Sequence, residues 1–197
     1  VYGGLQALSM LSTDYPPACE IPGVVNTQQE IRDLIFRYGV RDGRLVKLLQ
    51  LDSQPVPDNM VDASLIALRT PYELLPPGEE FFSTTLEEIE RELVREGGGV
   101  YRFRSDTYYG GGEWVLLAGW LGWHYARSGQ QDRAWKLLQW MEGQVDSRGH
   151  LPEQISDQLL FPEKYQFWVE EWGEVASPLL WSHAMYLILY STLSSNI

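Results

Sequence analysis

Apolar residues recur every three or four positions along most of this chain. That period limits the possible folds more than any other feature. In NTQQEIRDLIFRYG, Ile31, Leu34, Ile35 and Tyr38 share one stripe, Asn26 with Gln29 has the spacing of an N-cap, and Gly39 is a stop. In STTLEEIERELVREGGG the stripe is Leu86, Ile89 and Leu93, with Thr84 and Glu87 in capping-box spacing and Gly97–Gly99 as the end. A further helix is expected around Asn59–Arg69. GEWVLLAGWLGWHYARSG and QQDRAWKLLQWMEGQV read as a helical pair joined at Ser128-Gly129, and Ala134, Leu137, Leu138, Met141 and Val145 share a face of the second. A last helix, Pro178–Leu193, is apolar nearly all round, which predicts burial between neighbours. The opening VYGGLQALSML already has helical spacing through Val1, Leu5, Leu8 and Leu11, and is read as the later part of something longer.

Six or seven helices are expected, with short strand pairs near Arg44–Leu51 and Val100–Arg104. No alternating pattern is long enough for a sheet-based fold. The connections are long and hold glycines, prolines, aromatics and isolated carboxylates, among them TDYPPACEIPG, YRFRSDTYYGGGEW and the whole stretch from Ser147 to Pro178. Long structured loops on a helical scaffold are where function concentrates.

Charge narrows the partners. Fifteen Lys and Arg against twenty-seven Asp and Glu give a net charge of −12. No basic stripe relieves it, so nucleic acid and anionic membrane surfaces are not expected partners. Cys19 is the single cysteine, which excludes an intramolecular disulfide and a thiolate metal site without fixing the compartment. The three histidines, His124, His150 and His183, are in no ligand spacing, so neither a metal nor another cofactor is expected. No apolar run has the length of a membrane span.

Four stretches carry candidate chemistry. In GHLPEQ, Pro152 stiffens the backbone ahead of Glu153, as a general base requires; a solvated loop glutamate has the same sequence. In YRFRSDTYYGGGEW, Arg102, Asp106, Tyr108, Tyr109 and Trp114 surround three glycines. Guanidinium and carboxylate bond sugar hydroxyls and ring faces stack on sugar C–H faces, although a hairpin with a salt bridge is the plainer alternative. In SPLLWSHAMYLI the adjacent Ser182 and His183 point apart on a helix, so no nucleophile is read there, and His183 reads as a half-buried, hydrogen-bonded histidine. In FWVEEWGE, Glu170 and Glu171 lie between Trp168 and Trp172 and are either carboxyls in an apolar pocket or solvated ones.

Assembled in order, VDASLIAL, YRFRSDTYYGGGEW, HLPEQ and PLLWSHAMYL resemble the catalytic domain of glycoside hydrolase family fifteen, the glucoamylase, glucodextranase and trehalase-like enzymes. The resemblance implies an all-α (α/α)6 barrel, a toroid of helical hairpins, with residues 1–197 as a single partial domain from its C-terminal half. It also implies an inverting, exo-acting α-glucosidase. Glu153 matches the general base, Arg102 the residue gripping the terminal sugar, Asp106 its support, and Tyr109, Trp114 and Trp181 the aromatic lining. The family's general acid precedes a helix resembling VYGGLQAL, so it is expected upstream of Val1; Glu170 or Glu171 is the alternative. The expected partner is an α-glucan or α-glucoside, with self-association or the other half of the barrel covering exposed helix faces. A non-catalytic sugar-binding or regulatory module with the same barrel is the competing reading. Two departures bear on substrate choice: a long spacer before PLLWSHA, and Tyr109-Gly-Gly-Gly-Glu in place of the commoner Gly-Asn-Pro run.

Overall fold

The computed structural model describes residues 1–14, 23–49 and 61–195. Cys19 and the expected helix start at Asn59 lie outside them. Among the described residues the chain is helical: α1 Tyr2–Asp14, α2 Val24–Tyr38, α3 Glu80–Leu93, α4 Val115–Arg127, α5 Gln131–Glu142, α6 Pro162–Trp172 and α7 Leu180–Ser194. Two 3-10 segments, Ala63–Leu68 and Tyr108–Gly110, punctuate the loops. Among the described residues strand is confined to two antiparallel pairs of two residues each, β1 Val40–Arg41 with β2 Arg44–Leu45 and β3 Glu113–Trp114 with β4 Gln154–Ile155.

Helix α4 is the centre of the packing. Ten of its thirteen residues are buried, and it lies against both α5 and α7. Glycine allows this approach. A Cβ on Gly122 would stand 2.7 Å from a Leu189 methyl, and one on Gly119 would stand 3.0 Å from both Met141 and Met185. Each helical glycine costs about 0.5–1 kcal/mol relative to alanine. Close packing of three helices offsets that cost.

The histidine on this helix serves the same end. His124 is 4% exposed, its Nδ1 shares a 2.9 Å hydrogen bond with the Thr70 hydroxyl, and burial pushes its pKa down to about 4. The neutral ring and Trp120, whose indole N–H donates to the Thr70 carbonyl at 2.6 Å, pin the segment after the first 3-10 helix onto α4.

Several expectations need correcting. Helix α2 starts at Val24 behind Gly23, which is in the left-handed conformation, so Asn26 lies in the first turn and is no cap. Helix α3 starts at Glu80, so Thr84 lies inside it and its hydroxyl bonds the Glu80 carbonyl instead of forming a capping box. The stretch from Ser147 to Pro178, expected as a connection, contains α6, a helix with proline in its first turn. Helix α7 buries only the stripe Ser182, Met185, Leu189 and Leu193, while Leu180, Trp181, Leu187 and Tyr190 are exposed.

Candidate active site

The site is built where β3 and β4 meet. Glu113 pairs with Ile155 and Trp114 with Gln154, and this pairing joins the loop entering α4 to the loop carrying Glu153. Glu153 is gripped on its backbone from both sides. Its N–H donates to the Ala176 carbonyl at 2.9 Å, and its own carbonyl accepts from the Val115 N–H at 3.1 Å. The residue before it is held as well, because the buried Ser182 hydroxyl donates to the Pro152 carbonyl at 2.7 Å. One residue earlier, the Leu151 N–H donates to Nε2 of His183 at 3.0 Å, which leaves the ring proton on Nδ1. The start of α7 therefore braces the GHLPEQ turn.

Facing Glu153 is a loop organised by one buried carboxylate. Asp106 is 2% exposed and accepts both prongs of the Arg102 guanidinium, Nε at 2.9 Å and Nη2 at 2.6 Å. It also accepts the Tyr108 N–H at 3.1 Å and the Trp114 indole N–H at 3.3 Å. Four donors on two oxygens fix the guanidinium plane, and such forked pairs are directional as well as strong. The Arg102 carbon lies 4.8 Å from the Trp114 ring centroid and 5.7 Å from that of Tyr108.

Tyr108 joins the two halves. Its phenol donates to Oε2 of Glu153 at 3.2 Å, and its ring stacks on Trp114 with centroids 5.9 Å apart. Burial first, then the neighbouring Glu153 charge, pushes that phenol up to about 12, so it stays a donor. Glu153 itself is half-buried. Burial raises its carboxyl above the ordinary range and the Asp106 charge adds to this, while the Tyr108 hydrogen bond and the Arg102 charge pull it back.

The backbone that allows this is strained. Tyr109, Gly110 and Gly111 all have positive φ, at 46°, 75° and 71°. The conformation is easy for glycine and rare for tyrosine.

Of the residues expected at the site, the structure gathers Arg102, Asp106, Trp114 and Glu153. Tyr109 lies close by but behind the wall, 4% exposed with its hydroxyl donating to the Gly173 carbonyl at 2.9 Å. Its ring is packed against Trp168 of α6, with centroids 5.9 Å apart. Trp181 is 56% exposed in the first turn of α7 and takes part in none of these ring contacts. Glu170 and Glu171 are exposed on α6, and Glu170 accepts a hydrogen bond from Gln166.

Sequence reasoning counted Tyr108 among the candidate sugar-binding aromatics and Trp168 beside a candidate carboxyl pocket, but did not link either to Glu153, and it gave Gln154 no role of its own. Trp168 packs edge-on to Tyr108, with centroids 4.9 Å apart. Tyr108 and Trp168 were visible as aromatics, but only the tertiary contact singles them out.

One further buried carboxylate lies beside the site. Glu113 is 6% exposed and packs against Gly99, where a Cβ would collide with the carboxyl group. Arg95 approaches it at 3.7 Å, and burial pushes the acid upward. Among the described residues no group of three His, Cys, Asp or Glu side chains is placed to hold a metal ion. No described helix is long and apolar enough to cross a membrane.

No family model matches the chain. Individual proteins do. It is 40% identical over 189 residues to isomaltose glucohydrolase from Kribbella flavida, over 96% of this chain and 47% of that protein. It is 31% identical over 145 residues to an uncharacterised glycosyl hydrolase from Methanocaldococcus jannaschii, over 66% of this chain and 22% of that one. A solved glycosidase variant in complex with glucose matches with a TM-score of 0.84 at 38% identity, over 98% of this chain and 50% of that chain. A bacterial glucoamylase complexed with acarbose matches in fold, with a TM-score of 0.71 at 20% identity, over 98% of this chain and 32% of that chain.

The scaffold is thus that of the all-α barrel glycosidases, of which these hairpins form a part. In sequence the chain is similar to glycosidases, an isomaltose glucohydrolase among them, and in fold to a glucoamylase, as the resemblance to family fifteen implies. It spans about half the length, or less, of the curated relatives it matches.

Proposed function

We propose that the protein carrying this chain hydrolyses α-glucosidic bonds at non-reducing ends with inversion, using Glu153 as general base. Residues 1–197 would then form part of one barrel domain, and the partner would be an α-glucoside or α-glucan. The observation that carries the reading is the 3.2 Å hydrogen bond from Tyr108 to Glu153 beside the forked Arg102–Asp106 pair. It puts a stiffly mounted carboxylate next to a sugar-gripping cation and an aromatic surface. The relative from Kribbella flavida is named for action on isomaltose, and one matched glycosidase was solved with glucose. Both names favour a glucoside as substrate.

In this mechanism Arg102, oriented by Asp106, holds the hydroxyls of the terminal glucose. Glu153 takes a proton from water as the water oxygen attacks the anomeric carbon, on the face opposite the leaving oxygen. A carboxylic acid elsewhere in the protein protonates that leaving oxygen. The two carboxyl groups would stand ~6.5–9.5 Å apart, leaving room for the water. The raised pKa of Glu153 suits a base, because a carboxylate that holds its proton more tightly also accepts one more readily. Tyr109 and Trp168 support the ring wall from behind.

The test is to incubate the full-length protein with isomaltose, maltooligosaccharides and trehalose, and to follow the first-formed glucose anomer by proton NMR. Release of β-glucose from at least one of them is expected. No hydrolysis of any of the three, or release of the non-reducing-end glucose as the α-anomer from isomaltose or a maltooligosaccharide, would overturn the proposal.

A further inference from the structure

Next to the proposed base lies a residue whose side chain is buried, doubly bonded and absent from the chemistry described so far. Gln154 is 3% exposed. Its Oε1 accepts the Gly112 N–H at 2.8 Å, and its Nε2 donates to the Tyr108 carbonyl at 3.4 Å. Those two backbone groups bracket the left-handed run Tyr109, Gly110 and Gly111. Such a run does not hold itself in shape, because a non-glycine residue in that region costs about 1 kcal/mol or more. The amide clips both ends of the turn to the β4 strand.

We propose that Gln154 is a positioning residue that sets the Tyr108–Glu153 hydrogen bond; the proposal rests on reading Glu153 as the base. Consecutive residues grip one tyrosine at opposite ends. Gln154 holds the backbone carbonyl of Tyr108, and Glu153 accepts its phenol. Ladder pairing of Gln154 with Trp114 holds the ring on which Tyr108 stacks. Gly112 leaves space for the clip, since a Cβ there would stand 2.7 Å from the side-chain Oε1 of Gln154.

A neutral amide supplies an acceptor to Gly112 and a donor to Tyr108 together. Methionine has a similar shape and neither function. Glutamate keeps the acceptor and, when ionised, loses the donor.

The experiment measures kcat and KM on a hydrolysed glucoside for the full-length protein with Gln154→Met, Gln154→Glu, Tyr108→Phe and each Gln154 change combined with Tyr108→Phe. A melting curve establishes that each variant is folded. The expected result is a kcat loss of roughly tenfold for either Gln154 variant with KM little changed, since misalignment acts on the reacting geometry. Because Gln154 acts through Tyr108, the double variants should be no worse than the more impaired single by more than about twofold.

Wild-type kcat in either folded Gln154 variant would overturn the proposal, and so would losses that multiply fully with Tyr108→Phe. Glu153→Gln separates this from the base assignment. If that variant turns over normally the base reading falls; if it is inactive while both Gln154 variants work normally, only the positioning role falls.

Discussion

The Tyr108 phenol and the Glu153 carboxylate, 45 residues apart in sequence, meet in a 3.2 Å hydrogen bond. That bond offsets part of the burial that raises the Glu153 pKa. The charge state of the proposed base is therefore a balance between two neighbours, and altering either should change the pH response of the enzyme.

Tyr108→Phe is predicted to move the acidic limb of the kcat/KM profile to higher pH. A hydrogen bond to the charged form lowers a carboxyl pKa, so removing it raises that pKa and leaves more of the base protonated at a given acidic pH. The alkaline limb, set by the acid, should stay in place. The loss in kcat/KM near the acidic limb should be roughly tenfold, about 1.4 kcal/mol. An acidic limb that does not move would separate the phenol from the base.

Asp106→Ala should be destabilising as well as inactivating. It leaves Arg102, the Tyr108 N–H and the Trp114 indole N–H without their shared acceptor. Stranding buried donors and a part-buried cation costs about 3 kcal/mol. Denaturant unfolding of the full-length protein checks this, and a change below about 0.5 kcal/mol would be inconsistent with so central an acceptor.

Gly112→Ala tests the β3–β4 seam. The added Cβ would collide with the Ile155 backbone carbonyl and stand 2.7 Å from the side-chain Oε1 of Gln154, so the strands must separate. Overpacking of this kind costs about 1–3 kcal/mol. Activity should fall further than stability, because the seam mounts the proposed base. Kinetics and a melting curve on one preparation check the difference.

Much of this was legible beforehand. Strong 3.6-residue periodicity marked α4 and α5, and the Arg102–Trp114 and Glu153 stretches stood out because arginine, acid, aromatics and glycine crowd into loops. Helix α6 was not legible: it lies inside a long connection and buries no residue fully, and its short stripe of Tyr165, Trp168 and Val169 is held mainly by aromatics against the Tyr108 turn. The β3–β4 pair was equally hidden, since two residues carry no period. Tyr109 was expected at the site as one of the aromatics around three glycines. Its left-handed backbone turns it inward, and sequence cannot show that.

Glu113→Gln should raise thermal stability at neutral pH. A carboxyl whose folded pKa is raised holds its proton more tightly folded than unfolded, so stability falls as pH climbs from the ordinary carboxylate range, near about 4.3, through the raised value. The amide removes that penalty. Arg95, half exposed at 47%, loses little. Melting temperatures should coincide below the window and diverge above it, with the variant higher.

The central claim is that Glu153 activates the attacking water. The most direct measurement compares kcat for Glu153→Gln with wild type in the full-length protein, on whichever glucoside it cleaves. Loss of a general base predicts a fall of about 10²–10⁴-fold with KM little changed and the fold intact. Turnover within about twofold of wild type would contradict the account.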